Sequence, residues 1–370
     1  MKPALPEFLD LYDSSNSVLV IGGSGFIGSH LVEALLKRSK WTIKIIDEEN
    51  QKIAHLLDNP RLVLYPCNYF HCEELNELIS SSEAVVSLAA LCNPSLYMAS
   101  AKAVIHSNYD HPRRIVDICA AEQKWLIHLS SSEVFGRTVL GEMKRRRIEI
   151  EGIDLDESVQ LLNEDSAFIL GPIHETRWSY AAAKQLFERY IFALGLEEEL
   201  RWTIIRPFNF IGPRMDYING VDGQGIPRVL AVFMEKLLRG QKLPLVDGGE
   251  TKRVFTDIRD AVDAMIAVLT CPTRSQNKVL HIGNPRNEMS IKELAEKILD
   301  KAQNLPSYKP AGVEFVDAES FYGKGYADSD RRILDTCLLE SLYGWMPKYS
   351  LDQTLDLTMS WFAEHYSGQI

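Results

Sequence analysis

Tyr180 and Lys184 stand four residues apart in a stretch that reads as helix, so their side chains share one face about a turn apart. A tyrosine in water has a pKa of ~10 and is a poor base near neutrality. A neighbouring ammonium favours the phenolate and lowers that value, which lets the pair take a proton from a substrate hydroxyl. Such a pair is commonplace alone; its company gives it weight. Gly22-Gly23-Ser24-Gly25-Phe26-Ile27-Gly28 lies between a strand-like run, Ser17–Ile21, and a helix-like run, Gly28–Lys37. Ser130-Ser131-Ser132-Glu133-Val134-Phe135-Gly136 stands at the end of a later strand-like run, Leu126–Ser130.

Each glycine of the first stretch has a physical reason. Gly22 permits the tight turn, Gly25 lets the backbone approach a pyrophosphate, and Gly28 lets the helix pack on the strand. Phe26 and Ile27, just ahead of the helix, belong to the expected cofactor site, where the helix's free N–H groups and partial positive charge face the phosphates. Asp47 closes the next strand, Thr42–Ile46, and can accept from both ribose hydroxyls while repelling a 2′-phosphate. NAD is therefore the expected cofactor. Asn68, after the third strand, is placed to meet the adenine. Leu88, Ala89 and Ala90 at the end of the fourth strand, and Pro207 after a later one, belong to the same expected cofactor site. Lys184 would hold the nicotinamide ribose, and the cofactor's positive ring would lower the Tyr180 pKa further.

The elements that must position these residues alternate between short apolar runs and amphipathic stretches, the pattern of a parallel sheet covered on both faces. Further strands are predicted at Leu62–Tyr65, Ala84–Ala89 and Trp202–Ile205, and helices at Cys72–Ile79, Pro112–Glu122, Asp257–Leu269 and Ile291–Ala302. Two helical pieces are expected between Pro207 and Gly249. The fold class is α/β: a Rossmann-type doubly wound parallel sheet with a smaller, interleaved C-terminal α/β lobe. Residues 1–16 form an N-terminal extension and 17–206 the cofactor domain, with 252–284 returning to it. Residues 207–251 and 285–370 form the substrate lobe, with the cleft between. The 370 residues carry a net charge of −11, which argues against nucleic acid as a partner. No apolar run reaches the ~20 residues that span a bilayer, and the first sixteen residues do not read as a signal peptide. The six cysteines show no disulfide pattern, and Cys67 and Cys72 lack a second ligand pair at zinc spacing. A cytoplasmic protein without a metal is expected.

Gly22–Gly28, Ser131, Tyr180 and Lys184 together resemble an extended short-chain dehydrogenase/reductase of the NAD-dependent epimerase/dehydratase family, over about Ser17 to Phe362. Three stretches narrow the resemblance: Arg177-Trp178-Ser179-Tyr180, Arg206 to Arg214, and Phe321 to Tyr326 leading to Arg331-Arg332. With Lys252 to Asp257 they are similar to the plant UDP-apiose/UDP-xylose synthases and to the UDP-glucuronate decarboxylase domain of the bacterial lipid-A aminoarabinose pathway. Gly223 to Leu230 and Leu88 to Pro94 lean toward the apiose/xylose side. The resemblance implies that Ser131 bonds the C4 oxygen of a sugar, and that Ser132 and Glu133 face its C5–C6 end, Glu133 handling protons or water there. It implies that Arg177 and Arg332 place cations at the decarboxylating end. It further implies that Asn209, Arg228, Arg253, Tyr322 and Tyr326 cradle the nucleotide diphosphate, that Cys92 and Tyr97 match counterparts in the apiose synthases, and that Asn108 lies near the cofactor.

The implied activity is decarboxylation of UDP-glucuronate through a 4-keto intermediate, giving UDP-xylose and, through ring contraction, UDP-apiose. At position 132 the apiose synthases carry cysteine, and Ser132 matches the simple decarboxylases. The runner-up is a nucleotide-sugar 4-epimerase, which has no need of Glu133 or the Arg177/Arg332 pair. From another class, a non-catalytic NAD-binding scaffold would have no need of Tyr180. A homodimer is what the resemblance implies.

Overall fold

The computed structural model describes residues 7–148, 154, 158–323 and 331–370. Seven short runs rich in branched apolar residues form one parallel sheet: β1 (Ser17–Ile21), β2 (Thr42–Ile46), β3 (Leu62–Tyr65), β4 (Ala84–Ser87), β5 (Trp125–Leu129), β6 (Arg201–Pro207) and β7 (Lys278–Ile282). Their spatial order is β7-β6-β5-β4-β1-β2-β3. Alternation along β1 sends Val18 and Val20 to one face and Leu19 and Ile21 to the other, and each pair enters its own apolar core. Burial on both faces is why these strands read as continuous apolar runs rather than as alternating ones.

β1 pairs with both β2 and β4, so the chain winds outward in opposite directions from that point. The turns after β1 and β4 therefore diverge at the carboxyl ends, where a crevice must open. Helices Phe26–Arg38, His111–Ala121, Ser179–Glu197 and Ile258–Thr270 accompany the sheet. The core that carries Val18 and Val20 runs on into the C-terminal region, where it takes in Leu230, Phe233, Leu294, Leu355 and Phe362.

Between Pro207 and Gly249 the structure departs from expectation. It has one α-helix there, Val229–Leu238, and a single 3-10 turn, Asp247–Gly249. The stretch before the helix is loop because Arg214, Asp216 and Gly225 take positive φ angles (64°, 51° and 95°), which no helix accommodates.

Candidate active site

The crevice between the turns after β1 and β4 is lined by Gly22, Gly25, Asp47, Asn68, Leu88, Ala89 and Ala90, all assigned to the cofactor site from sequence. Gly22 has φ +82°, and a Cβ there would stand 2.8 Å from the Ala89 nitrogen. At Gly28 a Cβ would stand 2.4 Å from the Gly22 carbonyl oxygen, so glycine is what seats the helix on the turn. Gly25 is different: a Cβ there would come no nearer than 3.4 Å to protein. Packing alone does not demand glycine at this position, whereas close approach of a ligand does. No side chain caps the helix that starts here, and the buried Ser24 hydroxyl has no partner. Open N–H donors, room beside Gly25 and an orphaned hydroxyl all fit a dinucleotide's pyrophosphate.

Asp47 accepts from the Ser24 N–H at 2.8 Å, which aims its carboxylate into the crevice. The Asn68 amide donates to Glu48 and its oxygen accepts the Phe70 N–H, both at 3.0 Å, so its polar ends are engaged within the protein. Asp47→Asn removes a charge-assisted acceptor, worth ~1.5–3 kcal/mol, and the charge that repels a 2′-phosphate. Calorimetric titration is expected to show NAD binding weakened about tenfold to a hundredfold and NADP binding strengthened.

A second cleft of about 330 Å³ adjoins the first, with Leu88 and Ala90 lining both. Its walls bring together Cys92, Tyr97, Ser131, Ser132, Glu133, Arg177, Tyr180, Pro207, Asn209, Arg228, Arg253 and Tyr322, with Ile27 at the cofactor side. Tyr326 lies outside the described residues. Phe26 is buried beneath the Arg228 guanidinium, 5.5 Å away, rather than on either wall. Asn108 lies off both walls, in a π-helical turn at His106–Asp110, where its amide donates to the Leu91 and Val104 carbonyls.

Tyr180 and Lys184 come from the first turns of Ser179–Glu197, whose Ala181, Ala183, Phe187 and Ile191 are buried. The Lys184 ammonium donates to the Leu129 carbonyl at the end of β5, 3.2 Å away. Burial pushes its pKa down to about 8. Tyr180 stacks flat on Tyr97, centroids 4.9 Å apart, and meets the Ser131 hydroxyl. Sequence alone led us to expect a lowered phenol pKa. In the polypeptide the opposite holds: burial raises Tyr180, and the Ser131 hydrogen bond only partly opposes it. A buried Arg206–Glu188 pair, with contacts of 3.1 and 2.8 Å, ties this helix to β6. Sequence reasoning missed that pair; its one signal is an arginine at the end of an apolar strand.

Glu133 is the centre of the third feature. Arg177 donates to its Oε2 at 2.6 Å, and Arg332 donates to Oε1 and, at 3.0 Å, to the Ser132 carbonyl. Both guanidinia are buried. Burial alone would raise the Glu133 carboxyl, but the charges and hydrogen bonds of Arg177 and Arg332 outweigh it and hold the group far below the usual carboxylate range. Arg332 thus stands behind Glu133 rather than on the cleft wall. Arg228, by contrast, lines the cleft and is held by Asp216, whose Oδ1 accepts from it at 2.6 and 2.9 Å. Asn209 donates to the Val254 carbonyl at 2.9 Å, and Tyr322 ends the short helix Ala318–Tyr322.

A dinucleotide crevice running into a cleft lined by buried Tyr180 and by Ser131, with buried Lys184 one helical turn behind them, defines a Rossmann-type enzyme of the oxidoreductase kind. The chain belongs to the NAD dependent epimerase/dehydratase family, whose model matches residues 18–283, and NAD is its cofactor. It is 39% identical to the UDP-D-apiose/UDP-D-xylose synthase of Oryza sativa subsp. japonica, over 96% of this chain and 91% of that relative. It is likewise 39% identical to UDP-D-apiose/UDP-D-xylose synthase 1 of Arabidopsis thaliana, over 96% and 93%. Among solved structures, PbgP3 protein from Burkholderia pseudomallei matches with a TM-score of 0.81 at 27% identity, covering 95% of this chain and 97% of that one. The UDP-glucuronic acid 4-epimerase of Bacillus cereus, in complex with UDP-glucuronic acid and NAD, shares the fold at a TM-score of 0.75 and 20% identity, covering 95% and 100%.

Proposed function

We propose that the protein decarboxylates UDP-glucuronate, giving UDP-xylose and, by ring contraction, UDP-apiose. The observation that carries this reading is Arg177, buried on the cleft wall beside Glu133 and Tyr180, with Arg332 gripping Glu133 from behind. A sugar with no acid group would have little use for two desolvated cations there. The plant UDP-D-apiose/UDP-D-xylose synthases, 39% identical over nearly the whole chain, support the same pair of products.

NAD, which Gly22, Gly25 and Asp47 would hold, would supply a hydride acceptor for C4 and, once reduced, the hydride donor that restores the alcohol. Tyr180 takes the C4 hydroxyl proton, with Ser131 bonding the same oxygen. Lys184 holds the cofactor ribose and adds positive charge near the phenol. The C4 ketone lies β to the carboxylate, so the C5–C6 bond breaks, its electrons form an enolate, and carbon dioxide leaves. Arg177 holds the carboxylate until then, and the ketone's hydrogen bonds stabilise the enolate. Once carbon dioxide has left, C5 takes a solvent proton relayed through a water that Glu133, held ionised between Arg177 and Arg332, orients by accepting its hydrogen bond. Asn209, Arg228, Arg253, Tyr322 and Tyr326 take the nucleotide diphosphate, Ser132 faces the C5–C6 end, and Cys92 serves the ring-contracting branch.

We assign 17–206 and 252–284 to the cofactor domain, 207–251 and 285–370 to the nucleotide-sugar lobe, and 1–16 to an N-terminal extension. Among the described residues no helix is long and apolar enough to cross a membrane. We place the protein in the cytoplasm, where the adjacent thiols of Cys67 and Cys72 stay reduced. A homodimer draws support from Leu186 and Leu196, 49% and 71% exposed on Ser179–Glu197. Light scattering is expected to read twice the chain mass.

The deciding experiment incubates the protein with UDP-glucuronate and catalytic NAD, following carbon dioxide and the sugar products by NMR. Carbon dioxide with a UDP-pentose is the expected result. A C4-inverted sugar acid without carbon dioxide would give the case to an epimerase.

A further inference from the structure

Cys92 sits in the loop after β4, and the residues on either side of it are each tied down. On one side, the Leu91 carbonyl accepts from the Asn108 amide at 3.0 Å. On the other, the Asn93 amide donates to the Tyr217 hydroxyl at 2.7 Å, and that hydroxyl donates to the Gln224 carbonyl at 2.7 Å. Tyr217 belongs to the loop that leads into helix Val229–Leu238, so the Asn93 contact crosses from the sheet to the C-terminal region.

That loop is built to hold still. The Ile218 N–H donates to the Asp222 carboxylate at 2.8 Å, the Gly225 N–H to the Asn219 side chain at 3.1 Å, and the Tyr366 hydroxyl to Asp222 at 2.7 Å. The Tyr217 ring lies against Gly223, where a Cβ would stand 2.3 Å from the ring. Glycine at 223 is therefore required for the ring's position. Asp216, one residue earlier, is the carboxylate that grips Arg228. Two residues on the cleft wall, Arg228 and Cys92, are thus joined by the path Asp216, Tyr217, Asn93.

We propose that Tyr217 is a positioning residue: acting through Asn93, it fixes where the Cys92 thiol stands in the cleft. Asn108 anchors the loop from one side and Tyr217 from the other, and the Tyr217 anchor connects Cys92 to the region that carries Arg228. A change in the product ratio rests on the decarboxylase reading above. The placement of the thiol does not, and it can be measured without substrate.

The test measures the rate at which iodoacetamide alkylates Cys92 in the NAD-loaded protein, site by site, by peptide mass spectrometry. Removing the Tyr217 hydroxyl, and with it the Asn93 and Gln224 bonds, is expected to raise the Cys92 rate about threefold to tenfold in Tyr217→Phe. Asn93→Ala is expected to raise it at least as much, and the double variant no more than Asn93→Ala alone, since both cut the Asn93–Tyr217 link. Exposed Cys337 and buried Cys119 serve as controls and are expected to keep their rates. With UDP-glucuronate, Tyr217→Phe is expected to change the ratio of pentose products while KM holds. A Cys92 rate unchanged in Tyr217→Phe would overturn the proposal, as would independent, multiplying effects of the two substitutions. A rise at Cys119 as well would also overturn it, because Tyr217 would then be holding the fold rather than the loop.

Discussion

Replacing Tyr180 by phenylalanine is expected to lower kcat by about a hundredfold to ten-thousandfold while NAD stays bound, the range for removing a positioned proton-transfer group. The substitution keeps the ring that stacks on Tyr97 and deletes only the oxygen that meets Ser131. Packing and the cofactor crevice are untouched, so stability and NAD affinity are expected to change little. Rapid-quench assays of C4 oxidation, with NAD affinity measured in parallel, check both halves. A scaffold that merely bound NAD would be indifferent to the change, so undiminished turnover would remove Tyr180 from the chemistry.

Glu133→Gln is the second large effect, and it acts on two quantities. The carboxylate is the shared counterion of two buried guanidinia, Arg177 and Arg332. Breaking such a pair costs ~3–5 kcal/mol; the lower end applies here, because the Glu133 side chain keeps 19% of its exposure and a neutral amide still accepts hydrogen bonds. Turnover falls as well, since neither the water that brings the proton to C5 nor the arginines keep their orientation. The sign of the pH dependence follows from the depressed Glu133 pKa. Its contribution to stability is complete above the ordinary carboxylate value near 4.5 and is lost as pH falls below that toward the folded-state value. Denaturant unfolding is therefore expected to show a wild-type advantage that is flat near neutrality and shrinks below about pH 4.5. An advantage independent of pH would mean that Glu133 is not an ionised partner of the arginines.

Much of this was legible in the sequence because the signals are local. The apolar runs at Ser17–Ile21 and Thr42–Ile46, the glycine turn between them, and Asp47 are contiguous, and the structure shows them as strand, turn, helix and strand. Tyr180 and Lys184 needed only helical spacing. What was hidden depends on residues far apart in the chain. Nothing near Asn93 points to Tyr217, 124 residues on, or near Arg206 to Glu188, because a hydrogen bond across the fold leaves no periodicity. The π-helical turn that moves Asn108 off the cleft has no sequence signature we could use. The direction of the Tyr180 shift was misjudged for a related reason. A charge four residues away is visible in the sequence, whereas the desolvation that outweighs it belongs to the assembled interior.

The position of β7 has a consequence for how the molecule is made. β7 is the outermost strand of the sheet and pairs with β6, yet β6 ends at Pro207 and β7 begins at Lys278. A ribosome adding 5–20 residues per second needs roughly 4–15 s to go from one to the other. Throughout that interval β6 is an added open edge of the nascent sheet, with a row of N–H and C=O groups unpaired along Arg201–Pro207. During synthesis that edge can be shielded only by a chaperone or by the ribosome surface. Slowing translation between codons 208 and 277 should therefore increase aggregation, whereas slowing it after codon 282 should not.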